Sequence, residues 1–394
     1  MVRESKNIYL NAVILTLICT AYFTCNYLLE WPILAGKFLG IKPIFVDLQQ
    51  TLKQVACVET TLNRSISFSQ SAVDCGFVYS RPLYEFILIL DLQPQDVLWL
   101  GLVLGLLLIW SLVVIAHIGS MTLSGRRTLL ATLLICSPPI MLLFERANID
   151  ALIFLLLVAA CFSVYKGYRF FALIVLLICT LMKFYTLATV WIVWALMKKW
   201  KRITLLAPLL SISVYVLLDL LRTASNSPYP TAAAFGNAIL GKYLQSGPTN
   251  RLIDLILGLL AVAVCWVILR RVLVTNLSRL AMSFSNVSPR LDESLFWLSS
   301  AVFICCYFAT SNWDYRLVFL LGQILVLWPK ILNASSQRGV IIFTALFVAT
   351  FWLSFNAGRA QVFGDVAIGV IVVLTLMLWK ENWRTGFEVW RERT

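Results

Sequence analysis

The sequence predicts an all-α, polytopic membrane protein of roughly 11–12 transmembrane helices. Three observations predict it. Of 394 residues, 60% are hydrophobic and 13% charged, where a soluble domain is about half apolar and a quarter charged. Apolar runs of about 17–25 residues, the length a helix needs to cross a bilayer, recur along the chain. Lys and Arg gather between alternate runs, which is the pattern of cytoplasmic loops. The 14 Trp, 13 Tyr and 24 Phe suit interfacial belts and lipid-facing surfaces. A net charge of +13 without any nucleic-acid-binding motif speaks against a nucleic-acid partner.

The first run, 8–29, is too long for a signal-peptide core and lacks a small-x-small site after it, so it reads as a retained anchor. An outer loop, 30–96, follows. It carries short amphipathic helices, among them 48–57, and an apolar stretch, 83–92, that Asp91 closes. Spans are expected at 97–118, 128–144, 149–165, 169–182, 184–197 and 203–221, then a second outer loop at 222–251. Further spans follow at 252–270, 295–311, 315–334, 338–355 and 363–380. The linker 271–294 and the basic tail 381–394 are expected to be cytoplasmic and surface-lying. With no internal repeat or soluble insert, 1–394 forms one integral membrane domain.

Orientation follows from counting cations. With both termini in the cytoplasm, 20 of the 32 Lys and Arg fall inside, and five of the remaining 12 lie in the long first loop. The count turns on 168–198. One long helix there would place Lys198, Lys199, Lys201 and Arg202 outside, whereas two short helices broken at Lys183 keep them inside. The break is preferred. The expected location is a multi-pass bacterial inner or plasma membrane, with membrane lipids as partners.

Four polar clusters then share the outer face. They are Glu145–Asp150, Lys183–Tyr185, Asn312–Arg316 and Asn356–Arg359, each interrupting hydrophobic sequence at a helix end, where charge is costly without a purpose. Asp47 joins them from the first loop. It reads either as a helix N-cap or as a carboxylate in a partly apolar pocket able to act as general base. Asp150 reads as a cap for the helix after it, and Arg146 as a guanidinium that could bind a phosphate. Lys183 is either a snorkelling residue or an ammonium aimed at an anionic ligand from a helix break. Asp314 and Arg316 form an intraturn pair or part of a site, and Arg359 is a third outer guanidinium. Cys57 and Cys75 lie in the polar first loop and pair if that loop faces an oxidising compartment. The other eight cysteines lie in apolar runs and read as packing residues. One His, His117, leaves no His-rich metal site. Several cations and carboxylates over an apolar body suit a ligand with a negative head and a lipid tail.

These residues resemble a known family. Asp47 in Phe45-Val46-Asp47-Leu48, then Glu145-Arg146-Ala147-Asn148-Ile149-Asp150, Leu181-Met182-Lys183-Phe184-Tyr185 and Asp314-Tyr315-Arg316-Leu317 are similar to motifs of GT-C superfamily glycosyltransferases. The closest resemblance is to the polyprenyl-phosphate-mannose-dependent mannosyltransferases of glycosyltransferase family 87. That family more often has Gly where Ala147 stands and Pro where Phe184 stands. The resemblance implies a GT-C-like fold and inverting transfer of a sugar, mannose in the family, from a polyprenyl-phosphate donor to a hydroxyl of a lipid or glycan acceptor, without a cofactor or metal. Asp47 would be the base. Lys183, Arg146 and Arg316 would hold the donor phosphate. Asn148, Asp150, Tyr185, Asp314, Tyr315 and Arg359 would contact substrate. A secondary transporter and a lipid-linked polysaccharide polymerase or ligase remain alternatives.

Overall fold

The computed structural model describes residues 45–63, 67–77, 79–119, 125–226, 234–235, 291–309, 312–313, 316–334, 337–353 and 359–382, with isolated positions within 14–21 and 260–267. The expected spans 8–29 and 252–270, most of the loop 222–251 and the tail beyond Asn382 lie outside the described residues, as do Asp314 and Tyr315.

The described chain is helical apart from one short strand pairing. The first loop forms α1 (Val46–Leu62), α2 (Phe68–Asp74) and α3 (Arg81–Ile89), then a 3-10 turn (Pro94–Asp96). The central block is α4 (Val97–Gly119), α5 (Gly125–Ile135), α6 (Pro138–Arg146), α7 (Ile149–Tyr165) and α8 (Arg169–Met182). After a 3-10 turn (Phe184–Thr186) come α9 (Leu187–Ala195) and α10 (Lys199–Asn226). The C-terminal block is α11 (Leu291–Ala309), α12 (Leu317–Ala334), α13 (Gln337–Leu353) and α14 (Arg359–Asn382). Strands β1 (Ala234–Phe235) and β2 (Asn312–Trp313) pair antiparallel.

Among the described residues, four stretches are long and apolar enough to cross a membrane: Pro94–Ala116, Lys199–Leu218, Leu291–Phe308 and Phe363–Lys380. A fifth arises if α5 and α6, bent by 46° at their junction, form one span. The bend has a local cause. Pro138 and Pro139 lack the N–H groups that would continue α5, and they start α6 instead. The remaining apolar helices among the described residues are shorter. At 1.5 Å per residue, α7 and α8 reach about 25 and 21 Å, against roughly 30 Å of hydrocarbon.

The expected break at Lys183 is present. Lys183 is extended, with φ −148° and ψ 121°, which ends α8. The chain then reverses, because the Arg169 guanidinium at the start of α8 donates to the Leu196 carbonyl just past α9. One continuous helix would hold those residues about 40 Å apart. At the other end of α7, Gly167 at φ 84° closes a Schellman turn, with Tyr168 N–H on the Ser163 carbonyl and Gly167 N–H on that of Val164. Successive helices therefore run back and forth. Asp150, Lys183 and Arg316 lie at one end of the bundle, and Lys166, Arg169, Lys198 and Lys201 at the other. The β1–β2 pairing joins the loop after α10 to the segment before Arg316, at the same end as Asp150.

The core is continuous. Phe154, Phe319 and Tyr185 pack around the middle of the site end, and Trp297 packs on Trp379 farther away, with ring centres 5.0 Å apart and planes tilted by 55°. Inside it, Gln323 donates to Thr375 at 2.6 Å and the Trp379 indole donates to Ser300 at 2.9 Å, which gives these two donors partners in apolar surroundings.

Candidate active site

The site begins with a reason for two segments 99 residues apart to meet. Gly101 and Gly105, one turn apart on α4, leave a groove. A Cβ on Gly101 would lie 2.2 Å from the Phe45 ring, and one on Gly105 2.2 Å from the Phe144 ring. The two rings settle edge to face, 6.4 Å apart. Phe45 N–H then donates to the Glu145 carbonyl at 2.8 Å. The start of α1 is thereby fastened to the end of α6, which brings Asp47 to Arg146.

Asp47 is not an N-cap. Phe45 occupies that position in a left-handed conformation without any side-chain cap, and Asp47 is already helical. Its carboxylate is spent on long-range partners. Arg146 Nε and Nη2 donate to Oδ1 at 2.8 and 2.5 Å, and Asn148 Nδ2 donates to Oδ2 at 2.6 Å. Asp47 is 8% exposed, so this group meets solvent only at its edge.

The turn between α6 and α7 makes the arrangement possible. Ala147 stands at φ 44° and ψ 45°, the left-handed region that costs a non-glycine residue about 1–2 kcal/mol. It reverses the chain in one residue. That lets Arg146 close α6 and Asn148 open α7, with Asn148 Oδ1 accepting from Asp150 N–H at 3.0 Å. The cap of α7 is thus Asn148 and not Asp150. Asp150 is left free to point into the bundle.

There it is fully buried and accepts from three sides. Arg316 Nε donates to Oδ2 at 2.9 Å, the Tyr185 hydroxyl donates to Oδ1, and Lys183 Nζ lies 3.5 Å from Oδ1. The cations are also held by rings. Arg316 lies 5.2 Å from the centre of Tyr185, and Lys183 lies 4.7 Å from that of Tyr79. Burial and the Asp47 carboxylate keep the Tyr79 phenol well above its ordinary value, so the ring stays neutral beneath the ammonium. Ser80 next to it donates to the Leu181 carbonyl and ties the first loop to the end of α8.

The expected residues therefore separate by depth. Arg146, Lys183 and Arg316 keep 15%, 12% and 14% of their side chains exposed. Asn148, Asp150 and Tyr185 are buried more deeply, and Asp150 and Tyr185 hold Lys183 and Arg316 in place. Arg316 pairs with Asp150, 166 residues away; Asp314, the partner expected for it within its own turn, lies outside the described residues, like Tyr315. Arg359 opens α14, with its side chain outside the described set. Sequence reading missed Tyr79, Ser80, Phe45 and Phe144. The Gly101-x-x-x-Gly105 spacing was the one available signal for the ring contacts.

The first loop is cross-linked. Cys57 of α1 and Cys75 after α2 form a disulfide with Cα atoms 5.8 Å apart, within the usual range. Cys136, in the turn between α5 and α6, and Cys161, Cys179 and Cys306, in helices, are buried and outside any disulfide.

Chemically, three cations bind two carboxylates, which leaves one positive charge in excess among these groups. Glu145, whose charge couples to that of Arg146, is a further carboxyl at the same end. The fold and site define an all-α protein with helices able to cross a membrane and a cation-rich polar site at one end. No family model, curated protein or solved structure matches the chain.

Proposed function

We propose that this protein is an integral membrane glycosyltransferase of GT-C type, moving a sugar from a polyprenyl-phosphate donor to a hydroxyl of a lipid or glycan acceptor. The observation that carries the reading is the junction of Asp47 with Arg146 and Asn148 beside the Asp150–Lys183–Arg316 set. A carboxylate able to take a proton stands next to guanidinium and ammonium groups able to hold a phosphate. The acceptor oxygen attacks the anomeric carbon and its proton passes to Asp47. The bond from that carbon to the phosphate oxygen breaks, its electron pair leaving with polyprenyl phosphate. Lys183, Arg146 and Arg316 stabilise that developing charge. For this, Arg146 exchanges part of its bond to Asp47 for one to phosphate, which frees the carboxylate as the donor arrives. Single displacement inverts the anomeric centre.

Two further features support placing this end outside the cytoplasm. The cations of the opposite end follow the positive-inside pattern. A disulfide in the first loop suits an oxidising compartment. The lengths of α7 and α8 would set the cations some 5–10 Å below the outer hydrocarbon boundary, so a donor phosphate would be drawn inward from the headgroup layer to meet them. Mannose is the sugar the family resemblance favours.

The test is transfer itself. Purified protein is incubated with radiolabelled polyprenyl-phosphate mannose, glucose or arabinose and a lipid extract from its host. Transfer of one sugar, lost in Asp47→Asn while the variant keeps its melting temperature, is the expected result. No transfer from any of the three donors by folded protein would overturn the reading, and so would an active Asp47→Asn.

A further inference from the structure

At the end of the bundle remote from Asp47, a cleft of about 410 Å³ opens between the α7–α8 turn and the start of α10. That volume lies within the usual range of small-ligand sites, roughly 300–1,000 Å³. Its polar walls are Arg169, Lys198 and Lys201, and its apolar walls include Tyr168, Phe170 and Phe171, with no carboxylate among its lining residues. Arg169 decides its character. The residue is only 9% exposed, its guanidinium donates to the Leu196 carbonyl, and it faces no acidic partner among the described residues. A buried cation without a counter-charge is costly, and an anion in the cleft would remove that cost.

The surroundings say what kind of anion. Tyr168, Phe170 and Phe171 are more than half exposed, as interfacial aromatics are. Along α8 the exposed face continues from Phe170 through Ile174 to Ile178, at four-residue spacing, as an apolar ridge leading away from the cleft. A head-sized cationic cleft opening onto a chain-length apolar ridge fits one molecule with both parts. We infer that the cleft binds the headgroup phosphate of an anionic glycerophospholipid, with an acyl chain along the α8 ridge. Arg169 receives the phosphate from within, and Lys198 and Lys201 close on it from the surface. Because Arg169 also ties α8 to the end of α9, the bound lipid clamps the base of the hairpin whose tip is Lys183.

Native mass spectrometry of the full chain in detergent, titrated with phosphatidylglycerol or phosphatidylcholine, tests this without recourse to transfer activity. One retained phosphatidylglycerol per chain, bound in preference to phosphatidylcholine, is expected. Arg169 variants can fail to fold, so Lys198→Gln/Lys201→Gln is the informative protein. Its affinity for phosphatidylglycerol should fall about thirtyfold, at about 1 kcal/mol per cation removed. The pair Lys53→Gln/Arg81→Gln, at the opposite end, should leave it unchanged. Equal retention of the two lipids, or an unaltered affinity in the Lys198/Lys201 variant, would overturn the site. Displacement of phosphatidylglycerol by inorganic phosphate or glycerol phosphate at matching concentration would show a soluble phosphate site and overturn the lipid assignment.

Discussion

Replacing Asp150 by Asn should destabilise the protein more than any other single change at the site. Asp150 has no exposure and receives Arg316 at 2.9 Å, Lys183 at 3.5 Å and the Tyr185 hydroxyl. Asn keeps the shape and one acceptor for Tyr185, but it removes the buried carboxylate charge that two cations, 12% and 14% exposed, share. Removing one partner of a buried ion pair costs about 3–5 kcal/mol. Native chains are stable by only about 5–15 kcal/mol. At about 2 °C per kcal/mol for a large chain, the melting temperature should fall by roughly 6–10 °C. The molecule supplies its own reporter, because Cys161, Cys179 and Cys306 are buried thiols outside any disulfide that a thiol-reactive fluorophore reaches on unfolding, above the background of the partly exposed Cys305. Adding Lys183→Met should return part of the loss, since it removes one of the two cations that shared the lost charge. A melting temperature within 2 °C of the parent (roughly 1 kcal/mol) for Asp150→Asn would refute the reasoning, because it would mean that Lys183 and Arg316 do not depend on this carboxylate.

Three further outcomes are expected. Ala147→Gly should be neutral or stabilising by up to about 1 kcal/mol, because it relieves the left-handed strain at the cost of chain entropy; Ala147→Val, β-branched at φ 44°, should unfold at a clearly lower temperature in the same melt. Cys57→Ser/Cys75→Ser should lose about 3 kcal/mol, read by denaturant titration, since the bond closes a loop with a sequence separation of 18. Arg81→Cys, on a side chain 62% exposed in the first loop, should react with a membrane-impermeant maleimide added to intact cells, above the background of the parent protein. Reaction only after permeabilisation would reverse the orientation and remove the outer-face reading.

What could be read from the chain alone depended on how local the cause was. The bounds of α7 and α8 were legible at 149–165 and 169–182 because each is an apolar run stopped by its own neighbours, Gly167 and the extended Lys183. The break at Lys183 was legible by elimination, since an unbroken helix would have inverted the basic cluster after it. The bend at Pro138 passed unnoticed inside the expected span 128–144, although its two prolines stood in plain sight.

Caps were misread for a general reason. Asp is a good N-cap, so local propensity favoured Asp47 and Asp150 for that role. The fold gave the positions to Phe45 and Asn148 instead and left both carboxylates to distant cations, at sequence separations of 99 and 166. Composition, helix-sized apolar runs and charged interruptions at their ends are properties of the sequence itself, because burial and solvation act on each segment wherever it lies. Which cation meets which carboxylate was decided only by tertiary packing. Two ring-in-glycine contacts on α4 and a one-residue turn at Ala147 set those distances, and an ion pair a few ångströms long has no signature in the order of residues.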